Sequence, residues 1–234
     1  MGFLKRILRN GVTEDAVQSV SDGSFETLSD EELQTHMGIQ SYGMFDLTDA
    51  IRPSYDLQIV PKQGFRFDEY VDETNGSKTP VVMASATRDS LMDLFLDLIE
   101  PLGPVVDVVL ESSHKSGSEH EDLYREHIDM PVLKSILWEF EDLLLNDGCT
   151  GIAVINPTKR QEVQLDEHKL LIMYGDPLGQ FESTLISSDV YPDPEMHFIT
   201  EAEHVHSSSE RLYDQFNVLM NRLGMDGNDF AGAW

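Results

Sequence analysis

The sequence predicts an α+β fold: a mixed β-sheet of five to seven strands covered by four main helices. Three observations carry this expectation. The runs Ile152–Ile155 and Leu170–Tyr174 are apolar at consecutive residues, so each strand meets other elements on both faces. Segments 81–110 and 170–200 each read as apolar strand, capped helix and apolar strand, which suggests a ferredoxin-like pseudo-repeat of β-α-β units. Helical periodicity near 88–100, 130–146, 177–187 and 208–223 supplies the cover.

The chain has 234 residues, 40% hydrophobic and 25% charged, enough for a substantial core without a covalent staple. Forty-three acidic residues against sixteen basic ones give a net charge of -27. That charge disfavours attraction to nucleic-acid phosphate or an anionic bilayer and welcomes a basic protein partner. Cys149 is the single cysteine, so no internal disulfide forms, and no long apolar run begins the chain. A soluble protein of the reducing cytoplasm follows as the expectation, with no nucleic-acid partner and no stable membrane insertion. The expected organisation is an N-terminal extension over 1–43, partly mobile or packed on the domain, a single α+β domain over 44–224, and a C-terminal tail over 225–234.

Phe3, Leu4, Ile7 and Leu8 share one helical face beside Lys5, Arg6 and Arg9, a short basic amphipath that reads as a mobile arm or strap. Thr13 opens one short helix, and Ser29 with Glu32 forms a capping box for another. Residues 57–60 and 65–67 alternate around Pro61–Gly64, which predicts a hairpin. Val81–Ala84 reads as a strand and Thr87 as the cap of a helix carrying Leu91, Leu94, Phe95 and Leu98; a strand over 105–110 follows Gly103-Pro104. Asp107 sits between valine pairs in that strand and is one carboxylate to weigh as a functional acid.

Residues 112–130 read as a polar connection holding His114, His120 and His127, with Ser118 and Glu121 capping a short helix. Asp129 caps the helix with the widest apolar face, Leu133 to Leu144, and Gly148 stops it. Cys149, where helix meets strand, reads as a small buried hydrophobe, since no base stands near it in sequence. Asp166–Lys169 interrupts the return strand, either as an exposed bend in one long strand or as a tight turn between two short ones. Asp176-Pro177 starts a further helix, and 196–200 reads as a strand. Ser207 and Glu210 cap a helix carrying Leu212, Phe216 and Leu219. The tail ends on Trp234, read as tucking back onto the domain.

No phosphate loop, nucleophile elbow or cysteine-based metal motif is present. The best candidate ligands lie in Glu201–His206. On a strand His204 and His206 share a face, so a metal site there takes both, with Glu203 as a candidate carboxylate and a third ligand from elsewhere. Two functions are expected on this basis. The first is a noncatalytic protein-binding adaptor or regulator with an acidic surface, requiring no cofactor. The alternative is a metal-dependent hydrolase in which His204, His206 and a carboxylate such as Glu203 or Asp107 hold a divalent ion. The sequence leaves the oligomeric state open.

Overall fold

The computed structural model describes residues 24–25, 28–71, 76–114 and 121–225. Helix α1 (Asp30–Met37) comes first, followed by short strands β1 (Ser41–Tyr42), β2 (Phe45–Asp46) and β3 (Ile51–Pro53). Strands β4 (Gly64–Val71) and β5 (Lys78–Ser85) precede helix α2 (Arg88–Ile99). Strands β6 (Val105–Ser112) and β7 (Glu121–Asp129) lead into helices α3 (Met130–Glu139) and α4 (Glu141–Asn146). Then come β8 (Thr150–Asn156), β9 (Gln161–Leu165), β10 (Leu171–Tyr174), helix α5 (Gly179–Ser187), strand β11 (His204–His206) and helix α6 (Glu210–Arg222).

Seven strands make the main sheet, in the order β4-β5-β10-β9-β8-β6-β7. Strands β8 and β10, whose consecutive apolar residues predicted cover on both faces, are interior, as is β6. Each ladder in this sheet is antiparallel, whereas a mixed sheet was expected; one parallel bridge, Phe65 to Pro192, lies at its edge. The apolar faces of α2 to α6 fall in one core cluster with Val82, Val108, Leu110, Ile152, Val154, Val163, Leu165, Leu171 and Met173. These strand residues alternate along their strands, so the helices cover one face of the sheet. The opposite face carries two smaller clusters, one around Ile172, Tyr174 and Phe198 and one around Val109, Ala153 and Ile155. Each fully buried leucine or phenylalanine removes enough apolar surface from water to contribute roughly 1.5–3 kcal/mol.

The α+β class stands, and several finer expectations are corrected. Residues 57–60 form no strand: Leu57 takes φ 52 and its N–H closes a turn on the Ser54 carbonyl. A left-handed residue cannot continue a pleated strand, so β4 pairs with β5 instead. The polar segment after Ser112 yields β7, a half-exposed edge strand whose polar residues hide the alternation; Ser118 and His120 lie outside the described residues. The long helix over 130–146 breaks at Phe140, whose φ of -109° and ψ of 23° leave the helical region. Asp166–Lys169 is a tight turn, with the Lys169 N–H on the Asp166 carbonyl. Residues 196–200 form a loop and a 3-10 turn (Ile199–Glu201), so the second β-α-β unit lacks its closing strand. The first unit's strands, β5 and β6, stand apart with three strands between them. Six α-helices, not four, are found among the described residues.

The described part of the N-terminal region lies on the domain. Nε2 of His36 bonds the Pro53 carbonyl at 2.9 Å, and its ring packs between those of Phe25 and Tyr55. The amphipath over 1–10, the helix expected after Thr13, and Trp234 lie outside the described residues. Among the described residues no helix is long and apolar enough to cross a membrane.

Candidate metal centre

Strand β11 pairs antiparallel with β3, placing His204 opposite Pro53 and His206 opposite Ile51. The two-residue repeat puts both imidazoles on one side. Backbone bonds hold the end of the strand: Ser207 N–H donates to Ala50 O at 2.8 Å and Gly148 N–H to Ser207 O at 2.7 Å. Beneath it the buried guanidinium of Arg52 donates to the carbonyls of Thr48 and Ile51 through Nη1 and to Met37 through Nε. Gly148 is required where these segments cross, because a Cβ there would sit 2.3 Å from Ala50 O and 2.9 Å from Ser207 N.

The turn between β9 and β10 brings a third histidine to the same place. Asp166 Oδ1 accepts from the backbone N–H groups of His168 and Leu170, at 3.0 and 2.8 Å, and Oδ2 meets Nδ1 of His168 at 2.8 Å. A single carboxylate thus shapes the turn and fixes the ring it presents. Lys169 closes the turn with φ 63 and sends its buried Nζ to the Thr150 carbonyl at 2.8 Å. Burial lowers the Lys169 ammonium to about 8, against the pull of Asp166, Asp147 and Glu167.

The ring centroids of His168, His204 and His206 lie 4.7 to 5.1 Å apart, and one ligand atom from each falls within 4.8 Å of the others. Each Nδ1 meets an acceptor: Asp166 Oδ2 for His168, Ala202 O at 2.7 Å for His204, and Gly148 O at 2.6 Å for His206. A carbonyl or carboxylate oxygen can only accept, so all three rings donate from Nδ1, and in the neutral form each carries its lone pair on Nε2. That is how metal-ligating histidines are oriented in proteins. Burial lowers the pKa of His204 and His206, and the neighbouring imidazoles push the same way, against the backbone acceptors. Both therefore favour the neutral form that binds metal. Three imidazole nitrogens, partly exposed, fit a zinc ion that keeps a fourth position open.

His168 and Lys169 also line a small, open cleft. Phe45, Leu47, Ile51, Leu91, Met196 and Phe198 give it an apolar lining, and Lys62 and His197 add charge or polarity.

Of the residues singled out in sequence, His204 and His206 come together and Glu203 does not join them. The Glu203 carboxylate accepts from the backbone N–H of Ser24 at 2.7 Å. Asp107 lies where the β6–β7 register shifts and accepts from the backbone N–H of His127 at 2.9 Å, a structural task. Burial pushes the half-buried Cys149 thiol up, as do the charges of Asp147 and Glu167, against hydrogen bonds with Ser113 and Ser208. A thiol held protonated is a poor nucleophile. His168 was missed because 35 residues separate it from His204. Its one local signal is Asp166 two residues earlier, in a short polar break between two wholly buried strands. Comparison of the chain with family models, curated proteins and solved structures returns no match.

Proposed function

We propose that the protein is a zinc-dependent hydrolase with His168, His204 and His206 as ligands. The observation that carries this reading is the convergence of three imidazoles, one ring nitrogen of each within 4.8 Å of the others, with every Nδ1 held by an acceptor. It replaces the expected carboxylate ligand with His168. A bound ion supplies Lewis acidity and a water acidified enough to attack a carbonyl or phosphoryl group near neutral pH. Asp166 and the carbonyls of Ala202 and Gly148 hold the ligand rings in register. The apolar cleft reached by His168 favours a substrate with a hydrophobic group beside its scissile ester, amide or phosphoester. The test is equilibrium dialysis against zinc, followed by turnover of p-nitrophenyl esters and bis-p-nitrophenyl phosphate. We expect bound zinc that His204→Ala and His206→Ala each release, with turnover lost in parallel. A protein that dialyses free of zinc refutes the reading.

A second reading, a noncatalytic protein-binding module, draws on the net charge of -27 and on Val132 and Trp138, which stand 51% and 53% exposed on helix α3. A basic partner with an apolar anchor suits such a surface. Retention of a partner that survives zinc removal and fails with Trp138→Ala would favour it.

A further inference from the structure

We propose a second divalent-cation position, formed by His114, Asp147 and Cys149 beside the three-histidine centre. The pairing rests on the reading above, while the second position has ligands of its own.

One nitrogen of His114, one oxygen of Asp147 and Sγ of Cys149 lie within 4.8 Å of one another. The three come from the ends of paired strands: His114 follows β6, and Asp147 and Cys149 precede β8, with Ser112 opposite Thr150 in the ladder. The Ser113 N–H donates to the Cys149 carbonyl at 2.9 Å, fixing the two ends together. Asp147 is fully buried, and the His114 side chain is 7% exposed, with its ring 5.0 Å from that of Tyr213 and 5.3 Å from that of Phe216.

The decisive contact is between His114 and Asp147. Nε2 lies 2.9 Å from Oδ2, within ion-pair range. On the other side of the ring, Nδ1 meets Ser112 Oγ at 2.9 Å, and that oxygen also accepts from the His114 N–H. With Nδ1 on Ser112, the Nε2 edge of the ring faces a carboxylate oxygen in a buried space. A cation bound there takes the place of the proton that the imidazole and the carboxylate otherwise share, and that proton leaves to solvent. The Thr150 hydroxyl, which donates to Oδ2, fixes the carboxylate.

Imidazole, carboxylate and thiolate together suit zinc better than magnesium or calcium. On binding, the Cys149 thiol gives its proton to solvent and its sulfur lone pair to the ion. The two anions Asp147 and Cys149 then offset the charge of a divalent cation. The two centres share a backbone unit, since Gly148, whose carbonyl accepts from His206, lies between Asp147 and Cys149. The Glu167 carboxylate, next to His168 and accepting from Ser113 Oγ at 2.7 Å, acts electrostatically on both Cys149 and His206.

Cobalt(II) titration of the metal-free full chain tests the proposal. Cys149 is the single cysteine, so a thiolate-to-cobalt charge-transfer band in the near ultraviolet reports on this position alone. Two cobalt ions per chain and this band are expected. Cys149→Ser should abolish the band and one of the two ions, whereas His204→Ala with His206→Ala should remove the other ion and keep the band. One ion accompanied by the band supports this position and refutes the three-histidine centre. Saturation of the wild-type chain without the band overturns the proposal, whether or not any variant folds.

Discussion

Nδ1 of His206 donates to the carbonyl oxygen of Gly148 at 2.6 Å, and this bond ties the histidine-bearing strand β11 to the start of β8, an interior strand of the sheet. The imidazole is thereby oriented by the rigid core and not by its own short strand. The same residue admits the crossing of three backbone segments.

Gly148→Ala should therefore damage fold and site together. Its methyl would meet Ala50 O at 2.3 Å, and backbone cannot yield as a flexible side chain can. Overpacking of this kind costs about 1–3 kcal/mol. Urea unfolding should show a lower midpoint with an unchanged slope, and zinc affinity should fall with it. A variant as stable as wild type would mean that the crossing opens easily.

Asp166→Asn separates orientation from packing. The substitution keeps the size of the side chain but places an amide donor, or leaves only a neutral oxygen, opposite Nδ1 of His168. Loss of such an orienting partner usually costs about 10- to 100-fold in metal affinity. Competition against a chromophoric chelator measures the change. Affinity within twofold of wild type would show that the turn alone positions His168.

How much of this was legible in the sequence depends on the range over which each feature is encoded. His204 and His206 were readable as a pair because a two-residue spacing on a strand fixes their side by local geometry alone. His168 was not, because its approach depends on how β9 and β10 enter the sheet relative to β11. The core helices and interior strands announced themselves through apolar periodicity. Strand β7 did not, since Glu121, Asp122, Arg125 and Glu126 occupy an edge where little needs burial. The same limit misplaced the hairpin: residues 57–60 alternate like a strand, and only the tertiary setting puts Leu57 in a left-handed turn.

Asp107→Ala tests the carboxylate that sequence reasoning weighed as functional. Its Oδ1 holds the backbone N–H of His127, which has φ 55, at the register shift of β6 and β7. Losing that bond should cost about 1 kcal/mol. Zinc stoichiometry and affinity should not change, and a changed stoichiometry would return Asp107 to the site.

Arg211→Ala gives a pH-dependent stability effect away from the ligands. Arg211 Nη1 donates to Asp142 Oδ2 at 2.6 Å, joining α6 to α4. The Arg211 hydrogen bond, helped by Asn146, holds the Asp142 carboxyl below its ordinary range. A depressed folded-state pKa contributes stability above the unfolded pKa of 3.8, and that contribution disappears as pH falls through the lower folded value. Both partners are more than half exposed, so solvent screening limits the pair to under about 1 kcal/mol at neutral pH. Thermal unfolding of wild type and variant should differ slightly at pH 7 and converge in strong acid. A gap that persists unchanged in strong acid would assign the effect to packing.

Zinc itself should stabilise the folded chain. The three imidazoles converge only because β11, the 166–169 turn and the Gly148 crossing are in place, so the unfolded chain offers no comparable site. A ligand that binds only the folded state at 100 times its dissociation constant adds about 2.7 kcal/mol. At about 2–4 °C per kcal/mol for a chain of this size, that is a rise of roughly 5–10 °C in the unfolding midpoint. Chelation should reverse it, and the double variant His204→Ala with His206→Ala should lose the part due to the three-histidine centre. An equal rise in that double variant would place the stabilising zinc elsewhere, with His114, Asp147 and Cys149 the first residues to substitute.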